Sequence, residues 1–136
     1  MNPTEFSNVC GLFNEYEELL NLKAVAPLAE RVFTAPVEIY EQSGTGATLP
    51  SREAIVAALS KSIAEPRPDG RRIRSEISEI RFLNAGTAIA FVSYYAPVGN
   101  ESDVELRKWF YLLQKKDGEP WRVRALSQCM VVPFAP

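Results

Sequence analysis

From Asp103 to Pro133 two apolar-rich runs flank Lys116-Asp117-Gly118-Glu119-Pro120. Asp-Gly between alternating runs predicts a hairpin, because a tight primed turn needs residues that tolerate positive φ. Upstream, Arg71 to Leu83 alternates through Ile73, Ser75 and Ile77 and then changes parity to Ile80 and Phe82. Strand side chains alternate faces with period two, so the change predicts a bulge near Ser78-Glu79 that bends the strand. Asn84-Ala85-Gly86 predicts a turn. Thr87 to Ala96 follows as a strand with Ile89, Phe91 and Tyr95 on one face and Ala88, Ala90, Val92 and Tyr94 on the other. A strand apolar on both faces is covered on both. Val98-Gly99-Asn100 turns it into the final hairpin.

The first half of the chain has helical spacing. Asn2 can cap a helix with Pro3 first and Glu5 three residues after the cap, and Phe6, Val9, Cys10, Phe13, Glu17 and Leu20 carry it to about Leu22. Val25, Leu28, Ala29 and Val32 predict a second helix, with Pro27 in its first turn and Pro36 as its stop. Val37 to Gln42 suits a short strand, broken by Ser43-Gly44-Thr45-Gly46. Gly44-Thr45-Gly46 lacks the third glycine and the Lys-Ser/Thr of a phosphate loop, so it is an ordinary turn. Ser51 offers an N-cap for a helix over Arg52 to Ile63, which the Pro66, Pro68 and Gly70 cluster ends. The expected architecture is α+β: three N-terminal helices pack one face of a strongly bent antiparallel sheet, and the bend closes a conical cavity. The open sheet face is expected to meet a second subunit. No repeat or linker divides the chain, so residues 1–136 are expected to form a single domain.

Composition narrows the chemistry. Fifteen basic and 17 acidic residues leave a net charge of −2, and the basic pairs Arg71-Arg72, Arg107-Lys108 and Lys115-Lys116 are dispersed, so no nucleic-acid stripe forms. The N-terminus lacks a basic and apolar leader, and no run approaches the roughly 18 apolar residues of a membrane span, which predicts a cytoplasmic protein. Cys10 and Cys129 fit no metal or redox spacing and read as free thiols in a reducing compartment, a disulfide between them being the alternative. Histidine is absent. That excludes an imidazole base, a Ser-His or Cys-His nucleophile and histidine metal ligation, leaving acid–base work to Asp, Glu, Tyr, Lys or Cys. No metal or cofactor is expected.

If the Asp-Gly turn pairs Gln114 with Trp121, then Leu112 meets Val123, Phe110 meets Ala125 and Lys108 meets Ser127 on the face assigned to helices and cavity. The opposite face, with Trp109, Tyr111, Arg122, Arg124, Leu126 and Gln128, is assigned to the dimer contact. An odd-length loop reverses the pairing. On this register Lys108, faced by Glu38, is a candidate acid, base or anion anchor. A rim lysine reaching to water and a solvated strand glutamate are the plainer readings. Tyr16 and Tyr40 are candidate pocket walls with a polar tip, or core residues with satisfied hydroxyls. Ser127 completes the ligand-binding candidates, and Cys129, sharing its face, has no histidine to activate it.

The first helix with its tyrosine (Phe13 to Leu22), Val37-Glu38-Ile39-Tyr40, the helix start Ser51-Arg52-Glu53-Ala54-Ile55 and the hairpin Lys116-Asp117-Gly118-Glu119-Pro120-Trp121-Arg122-Val123 together resemble the nuclear transport factor 2-like superfamily. The resemblance covers nearly the whole chain and is nearest the superfamily's SnoaL-like and ketosteroid-isomerase-like members. It implies the bent-sheet, cystatin-like cone and a homodimer. It leaves open isomerases, cyclases, hydrolases, dehydratases and non-catalytic binding or transport proteins. In the steroid isomerases a tyrosine of the first helix donates to the substrate oxygen, and Tyr16 stands at the matching place. Tyr40 occupies the place of their general-base aspartate, and Lys108 to Phe110 offer no carboxylate for their second acid. The expected function is a small-molecule-binding protein with an apolar pocket. The alternatives are an isomerase, cyclase or lyase acting on a small hydrophobic substrate, and a non-catalytic dimeric interaction module.

Overall fold

The computed structural model describes residues 3–41, 44–63, 72–96 and 104–129. The Asn2 cap, the Pro66–Gly70 helix stop, the Val98-Gly99-Asn100 turn and the chain beyond Cys129 lie outside the described residues.

Helix α1 spans Pro3–Leu22 and buries Val9, Leu12, Phe13, Tyr16 and Leu19 along one stripe. It ends where Lys23 adopts a left-handed φ of 55°. The Ala24 N–H then reaches back to the Leu19 carbonyl at 3.0 Å, satisfying a carbonyl the helix would leave open. The predicted second helix is a short turn, α2 (Val25–Pro27), running into a π-helical turn over Leu28–Val32. Strand β1 (Phe33–Tyr40) begins four residues earlier than the Val37 start expected and includes Pro36, whose peptide bond to Ala35 is cis. Strand β2 (Gly46–Leu49), absent from the sequence reading, pairs with β1. Gly46 leaves room there for the ring of Tyr40, its cross-strand partner, from which a Cβ would lie 2.7 Å. Helix α3 (Arg52–Ile63) has the predicted bounds, with Ser51 Oγ accepting the Ala54 N–H at 3.2 Å.

The remaining strands are β3 (Arg74–Asn84), β4 (Thr87–Ala96), β5 (Val104–Gln114) and β6 (Arg122–Gln128). They join β1 and β2 in a six-stranded sheet of order β2-β1-β6-β5-β4-β3. The sheet is mixed rather than antiparallel throughout, because β1 runs parallel to β6, with β2, α3 and β3–β5 between them in sequence. The predicted bulge is present: Ile77 pairs with Val92 and Glu79 with Phe91, leaving Ser78 unopposed. A second bulge puts Arg124 out of register between Val123 and Ala125. Bulges bend a sheet, and the helices pack against its concave side.

The expected hairpin register is corrected by that second bulge and by the length of the connecting loop. Gln114 pairs with Arg122, Leu112 with Ala125, Phe110 with Ser127 and Trp109 with Gln128. Tyr111, Leu113, Val123 and Leu126 are buried against the helices, and Trp109 packs onto the same core. The two faces of β5 are thus exchanged relative to the sequence assignment. Phe110 and Leu112 lie on the open face, and Trp109 and Tyr111 inside.

Two side chains of α1 engage the backbone of the chain entering β3. Asn21 donates to the Ile73 carbonyl at 2.8 Å and accepts the Ile73 N–H at 2.7 Å, and Glu17 accepts the Ser75 N–H. Asn21→Ala should destabilise the protein by about 1–3 kcal/mol through the two backbone groups left unmatched. Urea denaturation measures this, and an unchanged midpoint would show that water replaces both bonds.

Candidate functional site

The concave side of the sheet holds an aromatic cluster. Helical spacing places Phe13 and Tyr16 on the buried stripe of α1, and strand alternation turns Tyr94 of β4 and Tyr111 of β5 toward them. Inward-facing Ala88 and Ala90 are fully buried, and Ala90 is the cross-strand partner of Tyr111, so small residues on β4 give the tyrosine ring its space. Tyr16 lies 5.8 Å from Tyr111, 6.5 Å from Tyr94 and 5.5 Å from Phe33, ring centroid to centroid. Phe13 meets Tyr111 edge-on at 5.1 Å. These rings occupy the space between α1 and the sheet.

The hydroxyls form the polar centre of this cluster. Tyr94 and Tyr111 share a hydrogen bond of 2.6 Å between their hydroxyl oxygens, and Tyr16 interacts with Tyr111 from the helix side. Burial pushes the Tyr16 phenol up to about 12 and raises Tyr94 and Tyr111 well above the ordinary range, since an apolar surrounding disfavours phenolate. All three are therefore neutral donors at physiological pH. The trio carries three O–H donors. The Tyr94–Tyr111 bond uses one and a Tyr16–Tyr111 contact can use one more, so at least one O–H has no acceptor within the trio. Glu17 is the carboxylate whose charge reaches Tyr94, and it is engaged by the Ser75 N–H.

Of the residues singled out from sequence, Tyr16 is in this interior. Glu38, Tyr40, Lys108 and Ser127 are not, because they lie on the opposite face of the sheet. Glu38 is the ladder partner of Ala125 and Tyr40 of Ser127, Ser127 pairs with Phe110, and Lys108 pairs with Ser93. Tyr40 is 43% exposed, and its hydroxyl meets Glu38 Oε2 at 3.5 Å, a long contact on the surface. Cys129 donates its backbone N–H to the Lys108 carbonyl at 2.8 Å, and burial pushes its thiol up with Lys108 opposing. A protonated thiol is a poor nucleophile. Sequence reading missed Tyr94 and Tyr111. The available signal was the inward set Ala88, Ala90, Val92 and Tyr94, where small residues leave room for a large ring on the neighbouring strand.

A second polar cluster ties the start of α1 to the terminal hairpin. Glu5 accepts from Lys115 Nζ at 2.9 Å and from Trp121 Nε1 at 2.6 Å. The Lys115 hydrogen bond, then that of Trp121, holds the Glu5 carboxyl below its usual range. A depressed carboxyl stabilises the fold above its unfolded pKa, and that stability is lost as pH falls through the folded value. Stability should therefore decline below about pH 4.3, the ordinary glutamate value. Glu5→Gln should flatten that part of the profile, as followed by thermal unfolding at several pH values. An unchanged profile would assign the acid sensitivity to another carboxylate.

Among the described residues, no group of three or more Cys, Asp or Glu side chains could hold a metal ion, and no helix is long and apolar enough to cross a membrane. No protein-family profile matches the chain, and no curated protein matches it in sequence. Solved structures do match. A domain of unknown function with a cystatin-like fold from Nostoc punctiforme is 17% identical, with a TM-score of 0.74 over 98% of this chain and 82% of that one. An NTF-2-like protein of unknown function from Shewanella oneidensis is 15% identical, with a TM-score of 0.70 over 93% and 98%. A putative scytalone dehydratase from Novosphingobium aromaticivorans is 20% identical, with a TM-score of 0.71 over 99% and 91%. The bent six-stranded sheet closed over α1 is therefore the NTF-2-like, cystatin-like fold.

Proposed function

We propose that this protein binds a small, largely apolar molecule in the concavity of the sheet and holds one hydrogen-bond acceptor of that molecule on the tyrosine hydroxyls. The observation that carries the reading is the buried Tyr16–Tyr94–Tyr111 trio in an aromatic surrounding, in which at least one O–H has no acceptor within the trio. A carbonyl, ether or phenol oxygen would satisfy it. Trp109 and Gln128 pair with one another on the inward face, further along β5 and β6 than Tyr111, and supply an apolar wall and an amide for the remainder of a ligand. Binding is favoured over an isomerase, cyclase or lyase because such chemistry needs a free base beside the donor. Glu17, the carboxylate sensed by Tyr94, is held by Ser75.

The reading includes a single domain acting as a homodimer in the cytoplasm. Support for the dimer is the open sheet face, where Ile89, Phe91, Phe110, Leu112 and Ala125 form a half-buried apolar centre. Around it lie Glu76, Arg81 with Glu79, and Lys108, the apolar-centre, polar-rim pattern of a protein interface. Glu38, Tyr40 and Ser127 would then border the subunit contact. The two free thiols, Cys10 and Cys129, suit a reducing compartment.

The test is a calorimetric titration with 2-acetylnaphthalene, an apolar ketone, against naphthalene, which lacks the acceptor. The ketone should bind more tightly. Tyr16→Phe or Tyr94→Phe should remove about tenfold of its affinity, the worth of one hydrogen bond of about 1.4 kcal/mol. Equal binding of ketone and hydrocarbon, or full affinity in both variants, would sink the assignment.

A further inference from the structure

We infer that the ligand of the tyrosine interior carries a carboxylate, and that Arg107 holds this group at the mouth of the sheet's concavity. The inference rests on the interior binding reading and adds to it the ligand's charge and the end at which that charge sits.

Burial along the inward face of β5 falls in one direction. Leu113 is fully buried, Tyr111 nearly so, Trp109 half-buried and Arg107 exposed, so the concavity opens at the Arg107 end. Arg107 is the cross-strand partner of Tyr94, and directly paired residues share one face of a sheet. Its side chain therefore leaves the strand on the side of the tyrosine trio, with Trp109 between it and Tyr111 along β5.

A bulge sets this arrangement. Residues two apart on a regular strand share a face, which would put Glu105 beside Arg107 and neutralise it. Instead Arg107 is in register with Tyr94 and Glu105 with Tyr95, and Leu106 is the extra residue between them. Tyr94 faces the interior, whereas Tyr95 lies on the open face with the Arg74 guanidinium over its ring. Bulges of this kind re-aim a side chain beside a functional site.

Among the described residues no carboxylate lies within ion-pair distance of Arg107. Glu17, on the interior side, is engaged by the Ser75 N–H. A guanidinium is always charged, and its planar fork matches the paired oxygens of a carboxylate. One cation balances one negative charge. A phosphate monoester carries about −1.5 to −2 and calls for a second cation, but the next one along β5, Lys108, pairs with Ser93 on the open face. The ligand so defined has an apolar body against Trp109, an acceptor at its inner end on the tyrosine hydroxyls and a carboxylate at its outer end. From Arg107 to Tyr111 is roughly 14 Å of strand, into which both side chains reach, so a rigid probe of two fused rings suits it.

The test is calorimetric titration of the whole chain with 6-acetyl-2-naphthoate and with its methyl ester, which keeps the shape and the acceptor but lacks the charge. The acid should bind at least about tenfold more tightly than the ester. That preference should shrink as salt is raised, because Arg107 is exposed. Arg107→Gln should erase the preference by lowering the acid's affinity to that of the ester, and Arg107→Lys should keep part of it. Tyr94→Phe should weaken acid and ester equally, since both use the inner acceptor. Equal binding of acid and ester to the wild type, or a preference that survives Arg107→Gln, overturns the carboxylate assignment and leaves interior binding standing. If neither acid nor ester binds, the interior reading fails and this inference falls with it.

Discussion

Phe13→Ala should remove about 3–5 kcal/mol of stability, the usual range for emptying a buried aromatic position. Phe13 is 1% exposed and holds Tyr111 edge-on while stacking beside Tyr16, so its loss withdraws contact from two of the three tyrosines. Against a total of about 5–15 kcal/mol, the variant should be near the limit of folding, with a thermal midpoint lowered on the order of 10 °C. Apolar cavities of this kind stay dry and accept small hydrocarbons. Benzene should therefore restore part of the loss. A loss below about 1 kcal/mol by urea denaturation would mean that the neighbouring rings collapse into the space, and the interior would then be more plastic than its packing indicates.

Phe110→Asp should break the proposed dimer. Phe110 and Phe91 meet edge to face at 5.3 Å at the centre of the open sheet face. A carboxylate there would be trapped without a partner between subunits, at a cost of several kcal/mol. Each 1.4 kcal/mol is a factor of ten, so the dissociation constant should rise at least about a hundredfold. Because the side chain is only half-buried within one protomer, the monomer should retain its fold. Sedimentation equilibrium decides. A wild-type chain that stays monomeric at high concentration, or a variant that dimerises as well as wild type, would remove this face from the proposed assembly.

Strands β3 and β4, the β5–β6 hairpin and α3 were readable because their signals are local. Ser51 before Arg52-Glu53 marks a cap, and the parity change from Ile77 to Ile80 marks the Ser78 bulge. The sidedness of β5 was not readable, because Trp109, Tyr111 and Leu113 alternate with Phe110 and Leu112, and both sets are apolar. Only the register could decide, and it depends on the loop from Lys115 to Trp121 and on the Arg124 bulge, hidden in Arg-Val-Arg-Ala without glycine to announce it. That one exchange carried Lys108 and Ser127 to the open face. The parallel pairing of β1 with β6 is a contact across most of the chain, invisible to local pattern, and it turns Glu38 and Tyr40 to the same face. Tyr16 was singled out as an aromatic wall and by resemblance, whereas the helical stripe expected through Phe6, Val9, Cys10, Phe13, Glu17 and Leu20 is rotated in the structure to Val9, Leu12, Phe13, Tyr16 and Leu19.

The bonds from Glu17 and Asn21 to Ser75 and Ile73 bear on how copies of this protein behave in a crowded solution. A sheet that ends in a bare strand offers a template on which another chain can add, and repetition of that step gives polymers. At the entry to β3 the free backbone groups are already taken by a carboxylate and an amide from α1, which act as a short surrogate strand that cannot itself be extended. The start of this border strand should consequently exchange its amide hydrogens as slowly as the interior of the sheet. Loosening α1 would uncover a sticky edge and its neighbouring aromatic surface in the same event.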